Sequence, residues 1–170
     1  MTAVTRGRDS QRGLVYSAED LLRSALDARS SIGVIEIAGT RVTLPPEARF
    51  ASIESMQRYV DAVLSRPSVR ERFGCVAPVR VRARRGTNAA HYEPNNNTIA
   101  VPVGDDSTPF RRESVVVHEL AHHLTEYGPH TASHGPEFVC VLLWLIGDVM
   151  GAEAAFVLRT FMFQHGVRVG

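Results

Sequence analysis

The spacing of apolar residues changes within the first 44 residues of the chain. From Ser17 the spacing is helical, which predicts a helix that Ser17 caps and that ends near residue 30. Its expected apolar face comprises Leu21, Leu22, Ala25 and Leu26. Over residues 33–44 apolar and polar residues alternate around Gly39, which indicates a β-hairpin with its turn near that glycine.

Helical spacing returns over residues 52–66 and is interrupted by Pro67. A short helix is predicted over 68–73. Nothing in the first 75 residues has the spacing of metal ligands or of a catalytic nucleophile. We therefore expect this part of the chain to be scaffold.

Short strands are predicted in the middle of the chain. Residues 79–84 alternate between valine or alanine and arginine, with the period of a strand. Residues 90–93 and 98–103 flank an asparagine-rich turn, which is typical of a hairpin. Pro102 lacks the N–H group of a strand ladder, so 98–103 is predicted to be an edge strand.

Two helices are predicted to follow the strands before a last one near the end. The first begins at Phe110 or Arg111 and is followed, after a loop, by a helix with Pro136 in its first turn. The apolar run 138–147 is about half the ~20 residues that span a bilayer, so it indicates a buried helix. Residues 152–164 have the pattern of a packing helix.

The length and composition favour one folded domain. A chain of 170 residues with 44% hydrophobic residues can bury a sizeable core. Residues 1–13 are polar and are predicted to be a flexible N-terminal arm, with residues 14–170 forming a single α+β domain. An alternative for the arm is that Arg8, Asp9 or Arg12 folds back over the functional site.

Charge and cysteine content limit the partners. The net charge of +1 gives no global field that would attract nucleic acid or an acidic membrane. Arg80, Arg82 and Arg84 share one strand face, but without interleaved aromatic residues they are more typical of a solvated face than of a nucleic-acid site. Cys75 and Cys140 have no redox or metal-binding spacing, and no secretory signal is recognisable, so a reduced, cytoplasmic protein is expected.

The residues with the clearest chemistry lie in the helix predicted around 115–124. His118 and His122 are four positions apart, so their rings project from one helix face and can converge on one metal ion. Glu119 lies between them in sequence and is rotated away from that face. From there its carboxylate can act as a general base without being a ligand. The pattern His-Glu-x-x-His therefore predicts a catalytic zinc site.

A catalytic zinc ion usually takes three protein ligands and leaves one position for water. His123 is rotated by about 100° from the ligand face and is expected to lie on the helix surface or behind a ligand. The residue pattern leaves the third ligand open among His130, His134, Glu137 and Asp148.

Two segments resemble the SprT-like zinc metallopeptidase family, which includes the DNA–protein-crosslink protease Spartan. They are His118-Glu119-Leu120-Ala121-His122-His123 and His134-Gly135-Pro136-Glu137-Phe138. The resemblance covers about residues 78–150 and implies His118, His122 and His134 as zinc ligands with Glu119 as base. The chain is also similar to a group of actinobacterial metallohydrolases.

The resemblance implies a zincin-like fold, in which a small, mostly antiparallel sheet packs against the metal-binding helix and further helices. In zinc peptidases of this build an extended peptide pairs with the edge strand beside the cleft, which by position is Thr98–Val103 here. No Cys-x-x-Cys ribbon follows the core, so cutting proteins from DNA does not transfer with the fold.

These features lead to three functional hypotheses. The first is a zinc-dependent metallohydrolase, most directly a peptidase, in which Tyr92, Tyr127 or His130 is the candidate donor to the transition state. The second is a catalytically silent binding module stabilised by its metal. The third is a DNA-associated protease similar to Spartan. The substrate and the oligomeric state do not follow from the sequence.

Overall fold

The structure is a computed structural model that describes residues 8–86, 89–102, 109–128 and 131–170, with only the backbone described at 29–32. Within these ranges the protein is a mixed α+β protein with six helices and two small sheets, so the predicted α+β class is confirmed. No described helix is both long enough and apolar enough to cross a membrane.

Most of the predicted elements are present, with shifts at their ends. The helices are α1 Arg12–Ile32, α2 Ile53–Leu64, α3 Pro67–Phe73, α4 Glu113–Leu124, α5 Pro136–Val149 and α6 Ala152–Gln164. The strands are β1 Ile35–Ile37, β2 Thr40–Val42, β3 Arg80–Arg84, β4 His91–Glu93 and β5 Thr98–Pro102.

The predicted start of the first helix was wrong. Helix α1 begins at Arg12, so Arg12 and Gly13 belong to it and not to a flexible arm. Ser17 does not cap the helix, because its hydroxyl donates to the carbonyl oxygen of Gly13 at 2.9 Å, one turn back inside α1. Residues 1–7 of the predicted arm lie outside the described residues.

The chain divides into two compact units. The first unit combines Met1–Pro46 with Thr125–Gly170 and contains α1, the β1–β2 hairpin, α5 and α6. Helix α6 packs against both α1 and α5. The side chains that fill this core are buried and comprise Val15, Ala18, Leu22, Leu26, Phe138, Leu142, Leu145, Ile146, Val157, Leu158 and Met162.

The hairpin prediction is confirmed in the first unit. Ala38 and Gly39 link β1 to β2, and both have positive φ angles, of 49° and 76°. A two-residue hairpin turn with both central residues in this region is of type I′, which matches the twist of the flanking strands. On α1 the predicted apolar face is only partly buried, since Leu22 is 1% exposed while Leu21 is 39% exposed.

The second unit, Glu47–Leu124, contains α2, α3, a three-stranded sheet and α4. The strand order is β3-β5-β4, in which β3 is parallel and β4 antiparallel to β5. The sheet that contacts α4 is therefore mixed, not mostly antiparallel.

The prediction that Thr98–Val103 is an edge strand was wrong. Strand β5 is the central strand of the described sheet, and all five of its residues are buried. Pro102 is tolerated because β4 pairs with β5 only as far as Ala100, so Pro102 has one strand neighbour, β3. Val103 lies outside the described residues.

The arginine face of β3 has local partners. Arg82 forms an ion pair with Glu93, and its hydrogen bond lowers the pKa of the Glu93 carboxyl group. Arg84 lies 2.9 Å from the Nδ1 atom of His91, and Arg80 is exposed. These contacts are those of a solvated sheet face.

The start of helix α4 is fixed by a buried ion pair. The Glu47 carboxylate accepts hydrogen bonds from Arg112 Nε at 2.8 Å and from the Ser114 backbone N–H at 3.1 Å. It thus neutralises Arg112 and caps the N-terminus of α4, where a negative charge is stabilising. Backbone pairing between residues 48–50 and 111–113 explains why α4 begins at Glu113 and not at the predicted Phe110 or Arg111.

A second carboxylate contact supports the same helix end. Glu113 accepts hydrogen bonds from the Ala48 backbone N–H at 2.9 Å and from the Tyr59 hydroxyl at 2.7 Å. Burial, together with the neighbouring Glu113 charge, raises the pKa of Tyr59, so its hydroxyl stays protonated and donates. Helix α4 is therefore placed by α2 and by the segment that precedes α2.

We expect Glu47→Ala to lower the free energy of unfolding by about 3 kcal/mol or more, because it leaves a buried guanidinium without its charge partner. The side chains of Glu47 and Arg112 are only 4% and 7% exposed. Urea denaturation followed by circular dichroism measures the change. Asp20→Ala, which breaks the Arg23 pair at a carboxylate that is 73% exposed, is the control and should cost less than about 1 kcal/mol. Equal losses in the two variants would contradict a special role for Glu47.

Candidate metal centre

Helix α4 presents two histidine rings side by side. The ring centroids of His118 and His122 are 4.9 Å apart, as expected for residues one turn apart on one helix face. His118 is buried and His122 is half-buried. The opposite face of the helix is anchored by Val117 and Leu120, both fully buried. The apolar residues around the motif thus hold the helix while the rings occupy its other side.

His134 lies in the turn before α5 and is held by contacts within the first unit. Its ring packs against Tyr16 of α1, with centroids 5.3 Å apart, and against Phe138 of α5, with centroids 5.0 Å apart. Its Nδ1 atom lies 2.8 Å from the Asp9 Oδ2 atom. With 5% exposure, His134 is a buried polar residue whose ring has a defined environment.

Gly135 allows this turn to close. Its N–H donates to the carbonyl oxygen of Ala132 at 3.1 Å. A Cβ atom at residue 135 would lie 2.9 Å from Glu137 Oε2 and 3.2 Å from the Ala132 carbonyl oxygen, closer than side chains normally approach. Pro136 then starts α5 at the first helical position, where the missing N–H has no cost.

The structure brings together the three histidines that the sequence and the resemblance single out. His118, His122 and His134 each offer one ring nitrogen, and these three atoms all lie within 4.8 Å of one another. Tetrahedral zinc at about 2.1 Å from each nitrogen would hold ligand nitrogens roughly 3.4 Å apart. The three residues are therefore able to bind a metal ion.

The burial of the ring nitrogens fits a metal. The Nε2 atoms of His118 and His134 are buried, and neither takes part in a hydrogen bond within the described residues, although each side chain makes other contacts. A buried ring nitrogen without a hydrogen bond is costly, and coordination of a cation by its lone pair would remove that cost. The donor set is chemically suited to a metal ion.

The alternative third ligands are not part of this group. Glu137 is exposed and Asp148 is half-buried, and neither belongs to the described cluster of metal-binding side chains. His130 lies outside the described residues, both as a ligand and as a transition-state donor. Among the described candidates, His134 is the one that joins the α4 pair.

His123 is directed to other partners. Its Nε2–H donates to the carbonyl oxygen of Ala77 at 2.9 Å, and its Nδ1 atom lies 2.8 Å from the Tyr92 hydroxyl. Burial lowers the pKa of His123, so the ring is neutral at pH 7. The Tyr92 hydroxyl has one proton, which it donates to Asn97 Oδ1 at 2.8 Å, so its contact with His123 Nδ1 does not make Tyr92 the donor to that ring.

The other residues predicted for the site lie in different environments. Glu119 is 4% exposed on α4, next to His118. The Tyr92 hydroxyl lies 2.8 Å from Asn97 Oδ1 as well as from His123, and burial raises the pKa of this hydroxyl. Tyr127 donates to the carbonyl oxygen of Ser133 at 3.0 Å, which ties the loop that leads to His134.

The contact between Asp9 and His134 was present in the sequence analysis only as an alternative for the N-terminal arm. The two residues are 125 positions apart, so no periodicity or motif links them. The supporting contacts of Tyr16 and Gln11 were not foreseen for the same reason. The single sequence signal for this contact was the carboxylate of Asp9, which lies close to the start of the first helix.

Comparisons of the chain with protein-family models, curated proteins and solved structures gave no match. Membership of the SprT-like family therefore stays a prediction.

We expect His134→Ala to weaken zinc binding by more than about 100-fold, since it removes a direct ligand and not only an outer partner. Elemental analysis after zinc loading and dialysis, together with the rise in Tm on zinc addition, measures the loss. His165→Ala is the matched control, because His165 is the C-cap residue of α6 and does not belong to the cluster. Unchanged zinc content in His134→Ala would point to His130, Glu137 or Asp148 as the third ligand.

Proposed function

We propose that the chain is a zinc-dependent metallohydrolase with a zincin-like fold, most directly a peptidase that hydrolyses amide bonds. The observation that carries the proposal is the convergence of His118, His122 and His134, two of them buried, with their ligand atoms within 4.8 Å of one another. The placement of His118 and His122 on a helix with the pattern His-Glu-x-x-His supports a hydrolytic role.

The donor set favours zinc over other ions. Imidazole nitrogen suits zinc, copper, iron and nickel, whereas magnesium and calcium prefer oxygen ligands. Three protein ligands leave one tetrahedral position for water or substrate, which is the arrangement of catalytic zinc sites. A structural zinc ion would normally have a fourth protein ligand, and the described cluster has three members.

The chemistry divides between the ion and Glu119. When bound, zinc would lower the pKa of a water molecule to about 7 and polarise the substrate carbonyl. The Glu119 carboxylate takes the proton of the attacking water and passes it to the leaving amine as the amide bond breaks. Glu119 is 4% exposed, so its side chain is largely screened from bulk water.

The substrate segment is better accommodated by β4 than by β5. Strand β5 is central, while β3 and β4 form the two edges of the described sheet. The edge of β3 is already occupied in part, because the Gln57 side chain accepts from the Val81 N–H at 2.7 Å and donates to the Val79 carbonyl oxygen at 2.9 Å. Strand β4 contacts α4, so an extended peptide paired with β4 would run beside the ligand helix.

We expect Glu119→Gln to reduce kcat by about 100-fold or more while zinc content stays at the wild-type level, because it removes the base and leaves the ligands. A peptide library assayed by mass spectrometry for new amino termini measures cleavage without a known substrate. Glu126→Gln is the control, since Glu126 is exposed just beyond α4.

Two outcomes of this assay would overturn the proposal. Equal cleavage by Glu119→Gln and wild type would remove Glu119 from the chemistry. Absence of cleavage by a zinc-loaded wild-type protein across the library would support the metal-stabilised binding module.

Tyr92→Phe and Tyr127→Phe should separate the candidate donors. If Tyr92 stabilises the transition state, its loss lowers kcat by about 100-fold or more at unchanged KM and zinc affinity. Tyr127→Phe removes the hydrogen bond to Ser133 and is expected to weaken zinc binding through the His134 loop, with kcat of the loaded protein retained. An unchanged kcat in Tyr92→Phe would assign that hydroxyl to the support of His123.

A further inference from the structure

Asp9 contacts His134 at two points. Its Oδ2 atom lies 2.8 Å from the ring Nδ1 atom, and its Oδ1 atom accepts from the His134 backbone N–H at 3.3 Å. The carboxylate therefore holds the side chain and the main chain of the same residue. The His134 side chain is 6% exposed and the Asp9 side chain 25%, so this contact is partly buried.

The Asp9 contact fixes which ring nitrogen of His134 is available. An ionised carboxylate can only accept hydrogen bonds, so the proton must lie on Nδ1. In the neutral ring the lone pair is then on Nε2. Nε2 is the atom that is buried and forms no hydrogen bond within the described residues. The ring is thus held in the tautomer that a metal ion needs.

Gln11 holds the carbonyl side of the same residue. Its Nε2 atom donates to the His134 carbonyl oxygen at 3.0 Å and to the Arg168 carbonyl oxygen at 3.2 Å, and its Oε1 atom accepts from the Arg168 N–H at 2.9 Å. Gln11 is 4% exposed and uses its amide entirely on main-chain groups. The segment that leads into α1 therefore has a defined position beside the His134 turn.

The aromatic neighbours limit rotation of the His134 ring but do not select a nitrogen. Tyr16 and Phe138 contact the ring at centroid distances of 5.3 and 5.0 Å. Apolar and aromatic contacts restrict ring orientation, whereas a hydrogen-bond acceptor at Nδ1 also sets the tautomer, and a charged acceptor makes the ring a stronger ligand as well.

We infer that Asp9 is the positioning residue of the metal site: its carboxylate holds the His134 imidazole in the orientation and tautomer that bind the ion through Nε2. The inference rests on the proposed zinc site and adds a residue that the His-Glu-x-x-His pattern does not contain. The competing interpretation is a structural hydrogen bond that stabilises the fold of the first unit without effect on metal affinity.

Zinc affinity, measured by competition with a chromogenic chelator, tests the inference on the full chain. Asp9→Ala should weaken zinc binding by about 10- to 100-fold, the usual effect of losing a carboxylate partner of a ligand histidine. Asp9→Asn should lie between wild type and Asp9→Ala, because the amide oxygen can still accept from Nδ1–H but lacks the charge. Cobalt-loaded Asp9→Ala should show an altered visible ligand-field spectrum, which a purely structural contact would not change.

Two further variants provide the controls. Gln11→Ala removes a main-chain contact of His134 and should lower the Tm of the metal-free protein, with a smaller loss of zinc affinity than Asp9→Ala. Asp20→Ala, at an exposed carboxylate of α1, should leave both quantities unchanged. If Asp9→Ala does not fold, as judged by circular dichroism, the nearly isosteric Asp9→Asn decides the outcome.

The outcomes distinguish this inference from the proposed function. Wild-type zinc affinity and an unchanged cobalt spectrum in Asp9→Ala, or in Asp9→Asn if Asp9→Ala does not fold, would overturn the inference and leave the three-histidine site standing. Losses of zinc affinity and of Tm in Asp9→Ala that match those of Gln11→Ala would assign Asp9 a structural role and overturn the inference as well. A wild-type protein whose zinc binding does not depend on His134 would overturn the metal site itself.

Discussion

Gathering imidazole nitrogens away from water is the constraint on which the rest of this structure depends. Ring nitrogens of residues 118, 122 and 134 lie within 4.8 Å of one another, and two of the three side chains are buried. Such an arrangement is unfavourable in a simple core, because buried nitrogen lone pairs lose their hydrogen bonds to water. A bound cation would reverse the balance, and the three side chains lie close enough together to bind one.

The support is of two physical kinds. On α4 the support is electrostatic and lies at the N-terminal end of the helix. There Glu47 accepts hydrogen bonds from Arg112 and the Ser114 N–H, and Glu113 accepts one from the Ala48 N–H. At His134 it is a contact of a carboxylate and aromatic rings with a single side chain. The first kind sets the position of a whole helix, whereas the second sets the orientation of one ring.

Local patterns in the sequence predicted the elements well and their pairing poorly. The hairpin near Gly39, the helix that starts at Pro136 and the last helix over 152–164 depend on neighbouring residues, and the structure contains each of them. Strand β5 is central because β3, which precedes the β4–β5 hairpin in the chain, pairs with it in parallel. The prediction of an edge strand was based on Pro102 alone. Strand order depends on residues far apart in the chain. A proline does not indicate an edge strand when the strand on one side of it has already ended, as β4 has at Pro102.

The candidate site shows the same division between local and distant information. His118, Glu119 and His122 are spaced by helix geometry and were identified from the sequence directly. His134 required the resemblance of a second segment, and the convergence of the three histidines agrees with it. Asp9 was considered only as one of three arm residues that could fold back over the site, because its partner is 125 residues away and only the packing of the first unit brings the two together.

The discontinuity of the first unit has a consequence for biosynthesis. Residues 47–124 are continuous and can complete their contacts while the ribosome is still translating the segment that follows. Helix α1 must wait for α6, its packing partner more than a hundred residues later, before it is stabilised. The packing of α1 against α6 therefore forms only after the whole of residues 47–124 has been synthesised.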